Sequence, residues 1–173
     1  MKIKTADLVY GIPFLTGLAL QILAVELFRQ TFISSRITIG IFFLSGLIGF
    51  YLLRRYIQGT FQNKLLDLTI SFIYCLVAIG GVVTYLFLAV NYHLANGHTT
   101  RHHFRILETG TLGKGPASDC FQPFAIIEKN GLTKEIILDC DLPKDITVYK
   151  SIALTVSDGR LGFGIIKNKE LLD

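Results

Sequence analysis

The chain has 173 residues, of which 51% are hydrophobic and only 17% are charged. Soluble domains carry about 25% charged residues, so this composition, with only three cysteines, excludes a disordered chain, a collagen and a disulfide-dense miniprotein. Residues 1–93 contain seven Lys or Arg and three Asp or Glu, whereas residues 94–173 contain ten of each. The net charge of +4 therefore belongs to the first half, where basic residues between apolar segments indicate membrane topology rather than binding of nucleic acid.

Three apolar segments in the first half are long enough to cross a membrane. They cover about residues 8–28, 37–53 and 68–90. A helix that crosses the hydrocarbon core needs about 20 residues, with a range of about 17–25. A buried helix of a soluble protein would have a polar face, whereas the polar side chains of the second segment are limited to Thr38, Ser45 and Tyr51. We therefore predict three transmembrane helices within residues 1–93.

Small residues in the second and third spans allow helices to approach closely. We favour packing within one chain over oligomerisation as the use of these residues. They are Gly40, Ser45, Gly46 and Gly49 in the second span, and Ala78, Gly80 and Gly81 in the third.

The basic residues near the ends of the spans predict the orientation. With three spans, the N-terminus and the 54–67 loop share one side of the membrane, and the 29–36 loop shares the other side with the tail. The first side has five basic residues, and the second has two, or four with Arg101 and Arg105 of the tail. Lys and Arg accumulate on the cytoplasmic side. We therefore expect a multi-pass protein of the inner (plasma) membrane with a cytoplasmic N-terminus and an extracytoplasmic C-terminal domain.

After a polar linker at residues 94–100, the pattern changes to short segments of alternating apolar and polar residues. About five short strands in about 70 residues are typical of a small sandwich or barrel. The sequence therefore predicts a membrane α + β protein, in which three transmembrane helices precede a small all-β domain at residues 101–173. The predicted strands cover residues 103–108, 121–129, 132–140, 146–156 and 161–166, with a glycine-rich loop at 109–119.

Cys120 and Cys140 flank a hairpin centred on Asn130-Gly131, the strongest short-range hairpin signal. A two-residue loop pairs residues whose numbers sum to 261 and puts the cysteines on opposite faces. A three-residue loop that begins at Lys129 pairs residues that sum to 260 and puts Cys120 opposite Cys140. Because an extracytoplasmic tail lies in an oxidising compartment, we predict the three-residue loop and a Cys120–Cys140 disulfide. The alternative is two free thiols in the core.

All four histidines lie between residues 93 and 103, where the chain leaves the third span: His93, His98, His102 and His103. Imidazole is the commonest metal ligand, so these residues are candidates for a Zn or Cu site. However, two of them are adjacent in sequence and would point to opposite faces of a strand, and no carboxylate lies within the cluster. We favour a polar linker at the membrane interface, and we expect no metal and no other cofactor.

The sequence contains no recognisable catalytic motif, and residues 110–115 lack the Gly-Lys-Ser/Thr ending of a phosphate-binding loop. We therefore predict a non-enzymatic membrane protein whose partners are the lipid bilayer and a membrane or periplasmic protein. The β domain would bind that protein through the Gly110–Ser118 loop and its exposed strand edges. Two alternatives are an accessory or scaffold subunit that acts through its transmembrane helices, and a metal-handling or enzymatic protein that uses His93–His103.

The stretch Ile152–Leu161 (IALTVSDGRL) reads as a strand, a glycine turn and the start of another strand, and it follows the membrane spans in chain order. In this respect the chain resembles the short NfeD-like membrane proteins, and also other small bacterial inner-membrane proteins with a β-rich tail. The NfeD-like resemblance implies an OB-type barrel and an association with stomatin-type membrane scaffolds. The glycine-rich opening motif of that barrel is not found at residues 101–110, and the resemblance transfers no functional residue.

Overall fold

The structure is a computed structural model that describes residues 5–57, 63–113, 121–129, 131–139 and 146–172. The chain divides into two compact units. The first, called the helical unit, contains Met1–Phe28 and Ile33–Val90. The second, called the β unit, contains Arg29–Phe32 and Asn91–Asp173. The β unit thus includes four residues from the connection between the first two helices.

Within the described residues, three helices are long and apolar enough to cross a membrane, in agreement with the three predicted spans. Helix α1 covers Thr5–Arg29 and α2 covers Ser35–Ile57. The third long helix runs over Lys64–His93 and consists of α3 (Lys64–Cys75), a π-helical turn (Leu76–Gly80) and α4 (Gly81–His93). The side chain of Asn63 caps its start by accepting hydrogen bonds from the backbone N–H groups of Leu65 and Leu66.

Glycines let the helices of this unit approach closely within one chain. A Cβ atom at Gly17 of α1 would lie 2.7 Å from the Cα atom of Ala78, and one at Gly80 would lie 2.7 Å from the carbonyl oxygen of Phe42 in α2. A Cβ atom at Gly46 of α2 would lie 2.9 Å from the Cα atom of Leu76, and one at Gly49 would meet the side chain of Ile79. Small residues are needed where backbones come this close. Of the predicted positions, Gly46, Gly49 and Gly80 make such contacts within the chain, whereas Gly40 has open space around it.

The β unit contains a five-stranded antiparallel open sheet in the order β3-β2-β1-β4-β5. The central strand β1 is long and serves two partners. Its residues 99–105 pair with β4 and its residues 106–112 pair with β2, with a register shift between Ile106 and Glu108. The strands are β1 (Thr99–Leu112), β2 (Gln122–Lys129), β3 (Leu132–Ile137), β4 (Ser151–Asp158) and β5 (Gly164–Leu172).

The core of this unit draws on both halves of the sheet. Ile127 and Ile136 come from the β2–β3 half, and Ile152 and Leu154 come from the β4–β5 half. The aromatic ring of Phe32, from the connection between α1 and α2, packs in the same cluster. The two edge strands are also linked, because the Lys169 ammonium of β5 donates a hydrogen bond to the Ile137 carbonyl oxygen of β3 at 2.6 Å.

Several strand bounds differ from the predicted ones. Strand β1 begins at Thr99, within the predicted linker, β3 ends at Ile137, and β5 covers Gly164–Leu172 instead of residues 161–166. Residues 109–112 belong to β1 instead of a loop, because each pairs with a residue of β2. Gly110 lies directly opposite Phe124 and its Cα is covered by the phenyl ring, so this glycine allows close packing in a strand. Conversely, residues 146–150 precede β4 and do not extend it. The Gly110–Ser118 loop proposed as a contact surface lies mostly outside the described residues.

The β2–β3 hairpin has a two-residue loop, and the predicted three-residue loop is wrong. The pairs run from Phe124 with Ile137 to Lys129 with Leu132, so the residue numbers sum to 261. Gly131 has φ 76°, a value typical of the tight turns whose twist matches that of the strands. Cys120 and Cys140 lie outside the described residues. The Cys120–Cys140 disulfide stays a prediction, but the hairpin register from which it was derived is not the observed one.

We expect Gly17→Ala to destabilise the helical unit by about 1–3 kcal/mol, because the added methyl group overpacks a contact with backbone atoms of Val77 and Ala78. Thermal unfolding of the full-length protein in detergent, followed by helical circular dichroism, measures the effect. The matched control is Gly40→Ala, because a Cβ atom there meets nothing within 4 Å. Equal unfolding temperatures for the two variants would contradict the close approach of these helices.

Candidate functional site

The structure does not bring the four histidines into a metal site. His93 ends α4, and all four are exposed. The Nε2 atom of His102 lies 2.8 Å from the hydroxyl oxygen of Thr100, while the neighbouring His103 pairs with Ala153 of β4. Among the described residues, no group of three or more His, Cys, Asp and Glu side chains could hold a metal ion. These histidines are therefore surface groups near the start of the β unit.

Residues 30–32 are held against the outer edge of β5 by backbone pairing. Thr31 forms a bridge with Ile165, the Phe32 N–H donates to the Gly164 carbonyl at 2.7 Å, and the Ile166 N–H donates to the Gln30 carbonyl at 2.8 Å. In the sequence, residues 29–36 are recognisable only as a loop between two spans. The signal for its second role is the run Thr31-Phe32-Ile33, in which two of the three residues are β-branched. This segment covers the first part of the β5 edge.

Asn91, near the end of α4, fastens the turn between β4 and β5. Its side chain donates to the Phe163 carbonyl and accepts from the Leu161 N–H, both at 3.0 Å, and its backbone carbonyl accepts from the Arg160 N–H. Asn91 is fully buried, so these bonds compensate for the loss of water. Asn91 is not among the residues predicted from the sequence, although an asparagine at the end of a long apolar segment was a possible signal. The function of Asn91 is to position this turn.

The edge strand β3 carries a buried cation. Lys134 is directly opposite Ile127 and lies on the same face of β3 as the core residue Ile136. Burial lowers the pKa of Lys134 to about 8, while the neighbouring Glu135 carboxylate acts in the opposite direction. Inward-pointing charges on edge strands oppose pairing with other chains. Lys134 therefore protects this edge of the sheet.

A shallow, open cleft of about 640 Å³ lies where β1 changes partner, and we call it the β1 cleft. Pairing of β1 with β4 ends at Arg105 and Ser151, and the Ile106 N–H donates to the Lys150 carbonyl at 3.0 Å. Beyond Ile106, the described strand pairs with β2 through its other edge. The cleft is lined by residues 103–109 of β1 together with Thr147, Tyr149, Lys150 and Ser151.

The β1 cleft combines apolar and charged groups around a strand edge. Leu107, at the register shift, is 56% exposed, and Tyr149 packs partly against the core. Arg105, Glu108 and Lys150 are exposed and supply both signs of charge. Backbone hydrogen bonds give affinity for an extended peptide, and neighbouring side chains give selectivity. The arrangement is suited to binding a polypeptide segment.

Comparison with known proteins gives no relative: no family model, curated protein or solved structure matches the chain.

We expect the free energy of unfolding of the β unit to include a term from Lys134 that grows between about pH 8 and about pH 10.4. Below pH 8 the Lys134 side chain is charged in both the folded and the unfolded protein. Between the folded and unfolded pKa values the unfolded chain binds more protons, so rising pH favours folding, by at most about 3 kcal/mol. Guanidinium unfolding of the full-length protein in detergent, followed by isoleucine methyl NMR, measures this term.

The substitution Lys134→Met should abolish this dependence, and Lys150→Met should keep it because Lys150 is exposed. If the free energy of unfolding depends on pH in the same way for the wild type and for Lys134→Met, Lys134 is not buried as described.

Proposed function

We propose that this chain is a non-enzymatic multi-pass membrane protein that binds an extended segment of a partner protein in the β1 cleft. The observation that carries the proposal is the change of partner in β1, which leaves a strand edge beside the exposed Leu107. An extended segment placed along residues 107–112 would extend the β4 side of the sheet across the gap. Arg105, Glu108 and Lys150 would then select the charges of that segment.

The other strand edges support the choice of this cleft. The edge of β3 carries the inward-pointing Lys134. The edge of β5 is covered at Gly164–Ile166 by residues 30–32, and it continues with the polar and charged sequence Lys167–Glu170. Both features are means by which natural sheets prevent pairing at their edges. The β1 cleft lacks such protection among the described residues.

We further propose that the N-terminus is cytoplasmic and that the β unit lies on the extracytoplasmic side of the inner membrane. The excess of basic residues at the N-terminus and at residues 54–67 supports this orientation. The division of the chain into two units is consistent with membrane crossings by both α2 and the third long helix. Phe32 and Asn91 belong to one unit and are separated by two long helices, so two crossings return the chain to the same side.

The scaffold alternative, in which the helices bind the partner as in the NfeD-like resemblance, has less support. Gly46, Gly49 and Gly80 already make contacts within the chain. Among the described glycines of the second and third spans, Gly40 is the one with open space around it. The sheet is open, with one hydrogen bond from Lys169 of β5 to Ile137 of β3, so the barrel that this resemblance implies stays a prediction. The metal-handling alternative would need other ligands, because the described histidines form no cluster.

Photo-crosslinking from the cleft tests the proposal. In intact host cells, Leu107→p-benzoylphenylalanine in the full-length protein should give one discrete adduct with an extracytoplasmic or membrane protein. Mass mapping should place the link in a single extended segment of that partner, because a strand added to β1 presents alternate residues to the cleft. Reversal of charge by Lys150→Glu should reduce the adduct severalfold.

Leu161 provides the matched control, because it is 41% exposed and lies in the same unit at the β4–β5 turn. The same photo-reactive residue at position 161 should give little or none of this adduct. Equal adducts from positions 107 and 161, or an adduct with a cytosolic protein, would contradict the proposed site or its orientation.

A further inference from the structure

The helical unit contains a cavity of about 220 Å³ that the proposed function does not use. Residues of α1, α2 and α4 line it, and none of its described lining residues is charged. Three lining residues carry polar groups that matter for this site: Gln21, Thr38 and Thr84. We call the cavity the intramembrane pocket.

The three polar residues are unusual because their oxygen atoms are buried without a hydrogen-bond partner among the described residues. Thr84 is 0% exposed. Other hydroxyl groups of the same helices bond to their own backbone: Ser45 donates to the Ile41 carbonyl at 2.7 Å, and Thr69 donates to the Leu65 carbonyl at 2.9 Å. An unpaired polar group in an apolar environment lowers stability unless a partner satisfies it. Three such groups around one cavity therefore favour a ligand that carries a polar group.

Water alone does not fill this pocket well. A volume of about 220 Å³ has room for several water molecules, and a buried water needs two to four polar partners. The pocket offers a few oxygen atoms, and the rest of its wall includes apolar side chains such as Ala24 and Phe28. One polar group attached to an apolar chain satisfies both parts of the pocket.

The mouth of the pocket is open to the side. Val25 of α1 and Ile39 of α2 line it and are 43% and 54% exposed. Gln21 lies eight residues before the end of α1, a distance of about 12 Å along the axis. If α1 crosses the membrane, this depth lies within the lipid layer, so a lipid can enter between α1 and α2.

We propose that the intramembrane pocket binds a neutral lipid whose hydroxyl group both donates and accepts hydrogen bonds, as in an acylglycerol. The hydroxyl would donate to the Gln21 carbonyl oxygen and accept from Thr84 or Thr38, and the acyl chain would leave between Val25 and Ile39. A phosphate headgroup has no cationic partner among the described lining residues. A simple ester has no hydrogen to donate to Gln21.

The test uses the full-length protein in dodecyl maltoside micelles and a photo-reactive diazirine analogue of monoolein. Labelling should map to Val25 or Ile39. Unlabelled monoolein should compete for it, and methyl oleate, which lacks a hydroxyl group, should compete much less. Thr84→Val should lower labelling about three- to tenfold, the loss expected from one or two hydrogen bonds. Thr69→Val is the matched control, since its hydroxyl bonds within α3 outside the pocket, and it should label as the wild type does.

Equal competition by methyl oleate, or unchanged labelling of Thr84→Val, would overturn the proposal and leave a pocket that holds water or a lipid tail only. Circular dichroism and size-exclusion chromatography check the fold of each variant. If Thr84→Val does not fold, Thr38→Val replaces it, and unchanged labelling of Thr38→Val would then overturn the proposal. The proposal is independent of the β1 cleft, so photo-crosslinking from Leu107 has no bearing on it.

Discussion

The β unit depends on one short backbone ladder, in which residues 30–32 pair with the start of β5. Phe32 fills part of the core, and its ring centroid lies 6.0 Å from that of Phe104 in β1. The unit is therefore assembled from two segments that are distant in sequence. Without the first segment, the C-terminal segment would lack a core aromatic residue and would expose the Gly164–Ile166 edge of its sheet. This explains why a short helix connection and a long tail form one compact unit.

Each unit contains buried polar side chains, and each of these has a distinct structural role. Asn91 has hydrogen-bond partners for its side-chain oxygen and nitrogen, and it fixes a turn. Lys134 places an ammonium on the core face of β3, where burial lowers its pKa and edge pairing is discouraged. Thr84 has no partner among the described residues. The first two groups maintain the sheet, whereas the third belongs to a pocket that a ligand can complete.

The sequence predicted the large features because they depend on length and composition. Spans of about 20 apolar residues are recognisable without tertiary information, and the alternation of apolar and polar residues predicted a strand over 146–156 that contains the core residues Ile152 and Leu154. Pairing partners could not be read in this way. Residues 109–112 have the sequence of a glycine-rich loop, and their place in β1 depends on the packing of Phe124 on Gly110. The hairpin register depends on the loop length, which is one residue shorter than predicted. The β1 cleft was also not predictable, since it arises where one strand passes from β4 to β2.

An engineered disulfide between residues 31 and 165 tests whether residues 30–32 pair with β5. The hydrogen bonds on either side make Thr31 and Ile165 a non-hydrogen-bonded antiparallel pair, with Cα atoms about 4.5 Å apart, which a disulfide can bridge. Oxidation of the full-length Thr31→Cys, Ile165→Cys variant should therefore give a 31–165 crosslink in peptide mapping. The Gln30→Cys, Ile165→Cys variant should not, because a shift of one residue moves the side chain to the other face. Failure of the first pair to crosslink, or equal crosslinking of both pairs, would contradict the incorporation of this connection into the β unit.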